Sequence, residues 1–219
     1  MEQPAEPARP GALARVLVVA GPSGSGKSRL CGRLARDLGL PTVNLDDFYK
    51  NGDDPTLPRR PAASGLGLVD WDDPASWSAG DALDALERLC RTGEADVPIY
   101  DIAHDGRTGV RPVRLAGAPY VLAEGLFAHE IVAGCRERGL LADAVCVRNN
   151  RWLTFWRRLS RDLRERRKPP LLLLRRGWRL TRAEAAVVAR AQACGATPMT
   201  SPQAYARLRS RVATGAVSC

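Results

Sequence analysis

A three-layer α/β/α fold around a mainly parallel sheet is predicted by three observations. From Arg15 onward, short apolar runs alternate with amphipathic stretches, the pattern of a sheet buried on both faces. A glycine-rich segment, residues 21–28, joins the first run to the first amphipathic stretch. Two later runs end in carboxylates, at Asp46 and Glu124, and the carboxyl ends of parallel strands are where ligands gather.

Strands are predicted at Val16–Ala20, Thr42–Leu45, Tyr120–Ala123 and Ala144–Val147, each a short apolar or β-branched run. Helices are predicted at Ser28–Asp37, Ala79–Cys90, His129–Arg138, Arg151–Arg167 and Thr181–Cys194. Residues 51–74 form a Pro-, Gly- and Asp-rich loop too long for a plain connector, and are expected to face the substrate. Residues 97–115 place Asp105-Gly106 between extended segments, which predicts a β-hairpin off the main sheet. The 219 residues, 45% apolar, then fit one domain at 15–215 behind a loose Pro- and Ala-rich tail at 1–14. No internal repeat is found.

The segment Gly21-Pro22-Ser23-Gly24-Ser25-Gly26-Lys27-Ser28 matches GxxxxGK[ST], with the strand VLVVA before it and a helix after it, and so reads as a P-loop. Backbone amides around the glycines cradle phosphate, and the helix N-terminus adds its dipole. Lys27 reaches the β- and γ-phosphates, and the Ser28 hydroxyl ligates Mg²⁺. Gly21, Ser23, Gly24, Ser25, Gly26, Lys27 and Ser28 are thus the expected ATP contacts, within a P-loop NTPase fold. No NKxD guanine motif and no LSGGQ-like signature occurs, which argues against a GTPase and an ABC ATPase.

Asp46, at the second strand's end, is positioned either to accept the proton of an attacking hydroxyl or to cap the following turn. Glu124 is placed like a Walker B carboxylate, for Mg²⁺ held directly or through water, or is a plain exposed strand end. Trp71 and Trp77 flank Asp72-Asp73-Pro74, which pairs aromatic surface with carboxylates as a nucleoside requires; core packing of either ring is the alternative. Tyr100 closes a short strand and reads as a base contact or as ordinary sheet.

The chain carries a net charge of +9, and a basic excess of that size predicts an anionic partner. Residues 151–179 hold eleven basic residues against two acidic ones; the remainder is balanced at 22 of each. In 151–168, Trp152, Trp156, Leu159 and Leu163 make an apolar stripe at helical spacing, and Arg157, Arg161, Arg164 and Lys168 make a second one about 140° away. This reads as a lid, an Arg-rich helix closing over triphosphate with Arg157 and Arg161 neutralising charge on the transferred group and Arg166 binding nucleotide, or else as a solvated charged face. The aromatics lie on the packing side, away from the arginines, which argues against nucleic acid. No apolar run nears the roughly eighteen residues of a membrane span, and the opening MEQPAEPARPG lacks signal-peptide features, so a cytoplasmic protein is expected. Six cysteines with no CxxC read as reduced thiols.

Taken together, the blocks GPSGSGKS, LDDFY, WDDP, PIYDIAHDGR and AEGLFA, followed by RRLSRDLRERRK, resemble the uridine kinase family, the uridine–cytidine kinases of the P-loop nucleoside kinase and phosphoribulokinase group. The resemblance covers residues 16–168. It implies ATP and Mg²⁺, Asp46 as catalytic base, Glu124 with Ser28 at the metal, and an acceptor site of Tyr49, Trp71, Asp72, Tyr100, Asp105 and Arg107. Here Asp105 stands where the family has a base-reading His, Asp73 and Ala75 replace the family's His and second Asp, and Arg107 keeps its register. The family's late strand, a VIIP-like run, has no clear equivalent in RAQACGATPMTSPQAYARLRS.

The expected function is transfer of the ATP γ-phosphate to the 5′-hydroxyl of a uridine- or cytidine-like nucleoside. The same chemistry on a pantothenate- or sugar-phosphate-like hydroxyl is the first alternative. A non-catalytic nucleotide- or RNA-binding protein is the second, opposed by the joint presence of Lys27, Ser28, Asp46 and Glu124. Monomer and homo-oligomer are both compatible with the sequence.

Overall fold

Strand β1 (Arg15–Ala20) is the run RVLVVA, whose last five residues are buried, because both faces of it are covered. Val16, Val18 and Ala20 enter one apolar layer; Leu17 and Val19 enter another, as the two-residue period of a strand requires. The computed structural model that shows this describes residues 13–60, 67–148 and 185–215. The predicted helix 151–167 and lid 151–179, and tail residues 1–12, lie outside the described residues. Ala14, assigned to the tail by composition, is buried in the core.

Helix α1 (Lys27–Leu38) follows the P-loop, and strand β2 (Thr42–Asn44) comes next. Leu45, predicted in that strand, instead opens a 3-10 turn, Leu45–Phe48, because the Asn44 side chain accepts the Asp46 amide at 3.2 Å and bends the chain. A second 3-10 turn, Pro74–Ser76, is capped by Asp73, and helix α2 (Ala79–Thr92) by Ser78. Strands β3 (Glu94–Asp101) and β4 (Gly106–Arg114) pair antiparallel as a separate two-stranded sheet, which is the predicted hairpin.

Strand β5 (Tyr120–Glu124) leads into a 3-10 turn, Ala128–Ile131, and helix α3 (Val132–Glu137), where one helix was predicted over His129–Arg138. Strand β6 (Leu141–Val147) starts three residues earlier than predicted. Helix α4 runs over 185–193, strand β7 is Thr197–Met199, and helix α5 is Ser201–Gly215. β7 extends the sheet beside β6, a strand that the sequence did not reveal. It is three residues long with Pro198 in its middle, which an edge position tolerates and which erases the apolar signature.

The sheet order is β2-β5-β1-β6-β7, and every pairing is parallel. Leu30 and Leu34 of α1 and Ala204 and Leu208 of α5 cover one face. Leu86 and Leu89 of α2, Val132 and Cys135 of α3 and Ala191 of α4 cover the other. The result is the predicted α/β/α sandwich. Cys31, Cys90, Cys135 and Cys146 are buried, and burial pushes the Cys90 thiol up to about 11 and Cys135 up to about 12. None of the helices among the described residues is long and apolar enough to cross a membrane.

Trp77 is 4% exposed, and its Nε1 donates to the Leu45 carbonyl at 2.6 Å, so this ring belongs to the core. Trp77→Phe retains most of the buried ring area and loses that bond. Urea unfolding should register a loss of about 1–2 kcal/mol; an unchanged midpoint would remove the bond from the account of this turn.

Candidate active site

Parallel pairing brings three strand ends level. Asn44 of β2 lies beside Glu124 of β5, and Glu124 lies beside Val19 of β1. Because β5 separates β2 from β1, the P-loop after β1, the turn after β2 and the Glu124 carboxylate share one edge of the sheet.

In the P-loop, Gly21 has φ +142, and a Cβ there would lie 2.4 Å from the Val147 carbonyl oxygen, so glycine is demanded by both conformation and space. Gly24 and Gly26 also adopt positive φ. Lys27 is 7% exposed, and its Nζ donates to the carbonyls of Gly21 at 2.8 Å and Pro22 at 3.2 Å. Burial lowers its pKa, and the carboxylates of Asp46 and Glu124 oppose that shift, which places both acids near the ammonium. Glu124 is itself nearly buried. Burial raises its pKa, while a hydrogen bond from the Ser28 side chain and the charge of Lys27 pull the other way. Ser28 thus lies within electrostatic reach of Glu124, at the end of β5.

Asp46 Oδ1 accepts the Leu126 amide at 2.8 Å, which holds the carboxylate across the end of β5. The cap of its turn is Asn44, so Asp46 is not occupied as a cap. Asp47 points the other way: Oδ1 accepts the Tyr100 amide at 3.5 Å, and Oδ2 pairs with Arg111 at 3.6 Å. Half-buried there, the Asp47 carboxyl is raised in pKa, chiefly by desolvation.

Tyr49 is the centre of an aromatic cluster. Its ring centroid lies 5.9 Å from Trp71, 5.7 Å from Tyr100 and 5.9 Å from Phe127, and Trp71 is 6.3 Å from Tyr100. The Tyr49 hydroxyl donates to the Trp71 carbonyl at 3.3 Å. Burial first, and then the proximity of Asp46, Asp72 and Tyr100, drive its pKa far up. Asp46, Trp71, Asp72 and Tyr100, separated by up to 54 residues in sequence, thus gather around one ring. Asp72 also lies 3.4 Å from Arg60, which is anchored on Asp70.

Asp105 sits in the hairpin turn at φ +45, its carbonyl accepting the Gly52 amide at 2.6 Å, and its charge helps raise the Tyr100 pKa. His104 Nδ1 lies 2.6 Å from Asp101 Oδ2. Arg107 is engaged with protein: Nε donates to the Tyr49 carbonyl at 3.1 Å and Nη2 to that of Phe48 at 3.2 Å. Two open clefts flank it. One, of about 440 Å³, is lined by Asn51, Asp53, His104 and Asp105; the other, of about 410 Å³, by Phe48, Asp81, Arg88 and Asp96. Arg157, Arg161 and Arg166 lie outside the described residues.

Three contributors escaped the sequence reading. Phe127 joins the aromatic cluster, and an aromatic residue three positions after an acidic strand end was the available signal. The Leu126 amide acts through backbone position, which side-chain chemistry does not announce, and the Asn44 side chain caps a turn that the apolar run before it masks.

The chain is similar to known proteins. Two curated relatives match: uridine kinase of Saccharomyces cerevisiae, 25% identical over 151 residues (68% of this chain, 29% of the relative), and uridine kinase of Schizosaccharomyces pombe, 30% identical over 155 residues (69% and 32%). The chain spans about a third of the length of these relatives. A candidate fructose transport system kinase from Silicibacter sp. TM1040 shares the fold, with a TM-score of 0.57, 20% identity, and coverage of 90% of this chain and 91% of that one. Residues 16–169 match the model of the phosphoribulokinase/uridine kinase family, and the chain belongs to that family.

Proposed function

We propose that this chain transfers the γ-phosphoryl group of ATP to a nucleoside 5′-hydroxyl. The observation that carries this reading is the meeting of Asp46, Asp72 and the rings of Trp71 and Tyr100 around Tyr49, at the sheet edge that bears the P-loop. Aromatic faces suit a nucleobase, and a carboxylate beside them suits ribose hydroxyls. Asp46 takes the proton of the acceptor hydroxyl. That oxygen bonds to the γ-phosphorus as the bond from phosphorus to the β,γ-bridging oxygen breaks, and ADP departs with the electron pair.

The P-loop residues fit the phosphates they are assigned. Glycines without side chains leave the loop amides accessible, and Lys27 supplies a cation whose present partners are two carbonyls of the same loop. Ser28 and Glu124 are the groups that would hold Mg²⁺, which when bound neutralises charge on the β- and γ-phosphate oxygens. In this reading Arg157, Arg161 and Arg166 add positive charge over the triphosphate, and the partner is a small molecule.

A second reading keeps the chemistry and changes the acceptor to a non-nucleoside alcohol. It draws on Asp105, which stands in place of the family's base-reading His, and on His104, whose Nδ1 is spent on Asp101.

A transfer assay with Mg²⁺–ATP against uridine, cytidine, pantothenate and sugar phosphates tests both readings, and product from the nucleosides is expected. Asp46→Asn should lower kcat by about 10²-fold or more with ATP affinity retained; full turnover in that variant would remove Asp46 as base. The pH dependence of stability tests the metal assignment independently. The Glu124 pKa is raised in the folded state, so below its unfolded value the protonated group costs nothing, and stability is lost as pH rises through the folded value. Glu124→Gln removes that loss. In metal-free buffer its melting temperature should gain on wild type as pH rises above the unfolded carboxyl value, while Mg²⁺-dependent transfer falls; parallel melting curves would show the carboxylate to be unstrained.

A further inference from the structure

The acceptor hairpin is a sheet of its own and the catalytic turn follows a strand of the main sheet, so something must set their relative position. The turn 45–52 meets the hairpin through Asp47, which receives the Tyr100 amide and Arg111, and through Gly52, whose amide reaches the Asp105 carbonyl. The densest connection is Arg107, the second residue of β4. Its backbone amide donates to Asn51 Oδ1 at 2.9 Å. Its guanidinium donates to the carbonyls of Tyr49 and Phe48, and Nη2 pairs with Asp81 of α2 at 2.8 Å. One side chain thus ties β4, α2 and the backbone that follows Asp46, and it lines both clefts.

We infer that Arg107 is a positioning residue: it clamps the chain between Asp46 and Asn51 onto the hairpin and so sets the distance between the catalytic carboxylate and the aromatic acceptor wall. Its Nε and Nη2 are already committed to protein acceptors, which distinguishes it from a group held ready for substrate. A planar fork is needed because the acceptors lie in two directions, and a lysine ammonium cannot hold that geometry. Two of the guanidinium's three contacts are with main-chain carbonyls, so the clamp acts on backbone position and not on charge alone. Asp81 is the second half of the device: about half exposed, it adds little as an isolated surface pair, yet it orients the guanidinium toward the turn. This inference rests on the acceptor-kinase reading for its kinetic consequence and on geometry alone for its structural one.

The test compares the full chain with Arg107→Lys, Asp81→Asn and the double variant. Hydrogen exchange needs no acceptor. Peptides covering 45–52 should exchange about 10-fold faster or more in Arg107→Lys, with those covering 15–30 unchanged; equal exchange at 45–52 overturns the clamp. With uridine as the probe acceptor, kcat/KM should fall about 10- to 100-fold through kcat, with the KM for ATP within about 2-fold. Asp81→Asn should give part of that loss, and the double variant no more than Arg107→Lys, because Asp81 acts through Arg107. A rise in the KM for uridine alone, with Asp81→Asn silent, would make Arg107 a direct acceptor contact and overturn the inference. If wild type leaves uridine untouched, the nucleoside reading falls and the exchange result still decides this one.

Discussion

The hydrogen bond from the Leu126 amide to the Asp46 carboxylate joins the end of β2 to the end of β5, and the site is organised about it. It forms across Gly125, where a Cβ would lie 2.9 Å from Leu45 Cβ and 3.0 Å from Asp46 Oδ1. Glycine is required there for close approach. With the two chain segments in contact, Asp46 is held toward Lys27 and the P-loop, and the Glu124 carboxylate is brought beside Ser28. The constraint is steric first and electrostatic second: the backbones approach because nothing stands between them, and the charges then find partners.

Two adjacent carboxylates divide the work of the turn. Asp46 faces the P-loop and Asp47 faces the hairpin, since the turn that begins after Asn44 sends successive side chains to different sides. The basic side of the site is concentrated in a buried lysine whose charge is costly to bury and is supported by two acids. Such a cluster favours a ligand that brings its own negative charge to the ammonium and its own cation to the acids, which is what a metal-complexed triphosphate offers.

Much of this was legible in advance, for reasons that can be named. Residues 16–20 and 120–123 are apolar without interruption because both faces of a central parallel strand are covered, so they announce themselves. The P-loop is legible because its chemistry needs glycines and a lysine at set spacing. β7 was hidden because a three-residue edge strand containing proline carries no such signature, and the 3-10 turn at Leu45 was hidden because a side-chain cap at Asn44 outweighs the apolar run before it. Trp77 and Trp71 look alike in sequence; burial sends one to the core, and the other to the aromatic cluster beside Asp72.

By itself, the sequence determined the layers of the fold, the glycine-rich loop after β1 and the identity of the acids at the strand ends, because each is encoded in local pattern or in residue type. Tertiary structure alone decided which of two neighbouring aspartates faces the P-loop, that Phe127 completes the aromatic cluster, and that the Arg107 side chain is bound to backbone. Those outcomes depend on strand order and register, which bring Asp46 and Leu126 into contact across 80 positions, and distance along the chain carries no information about direction in space.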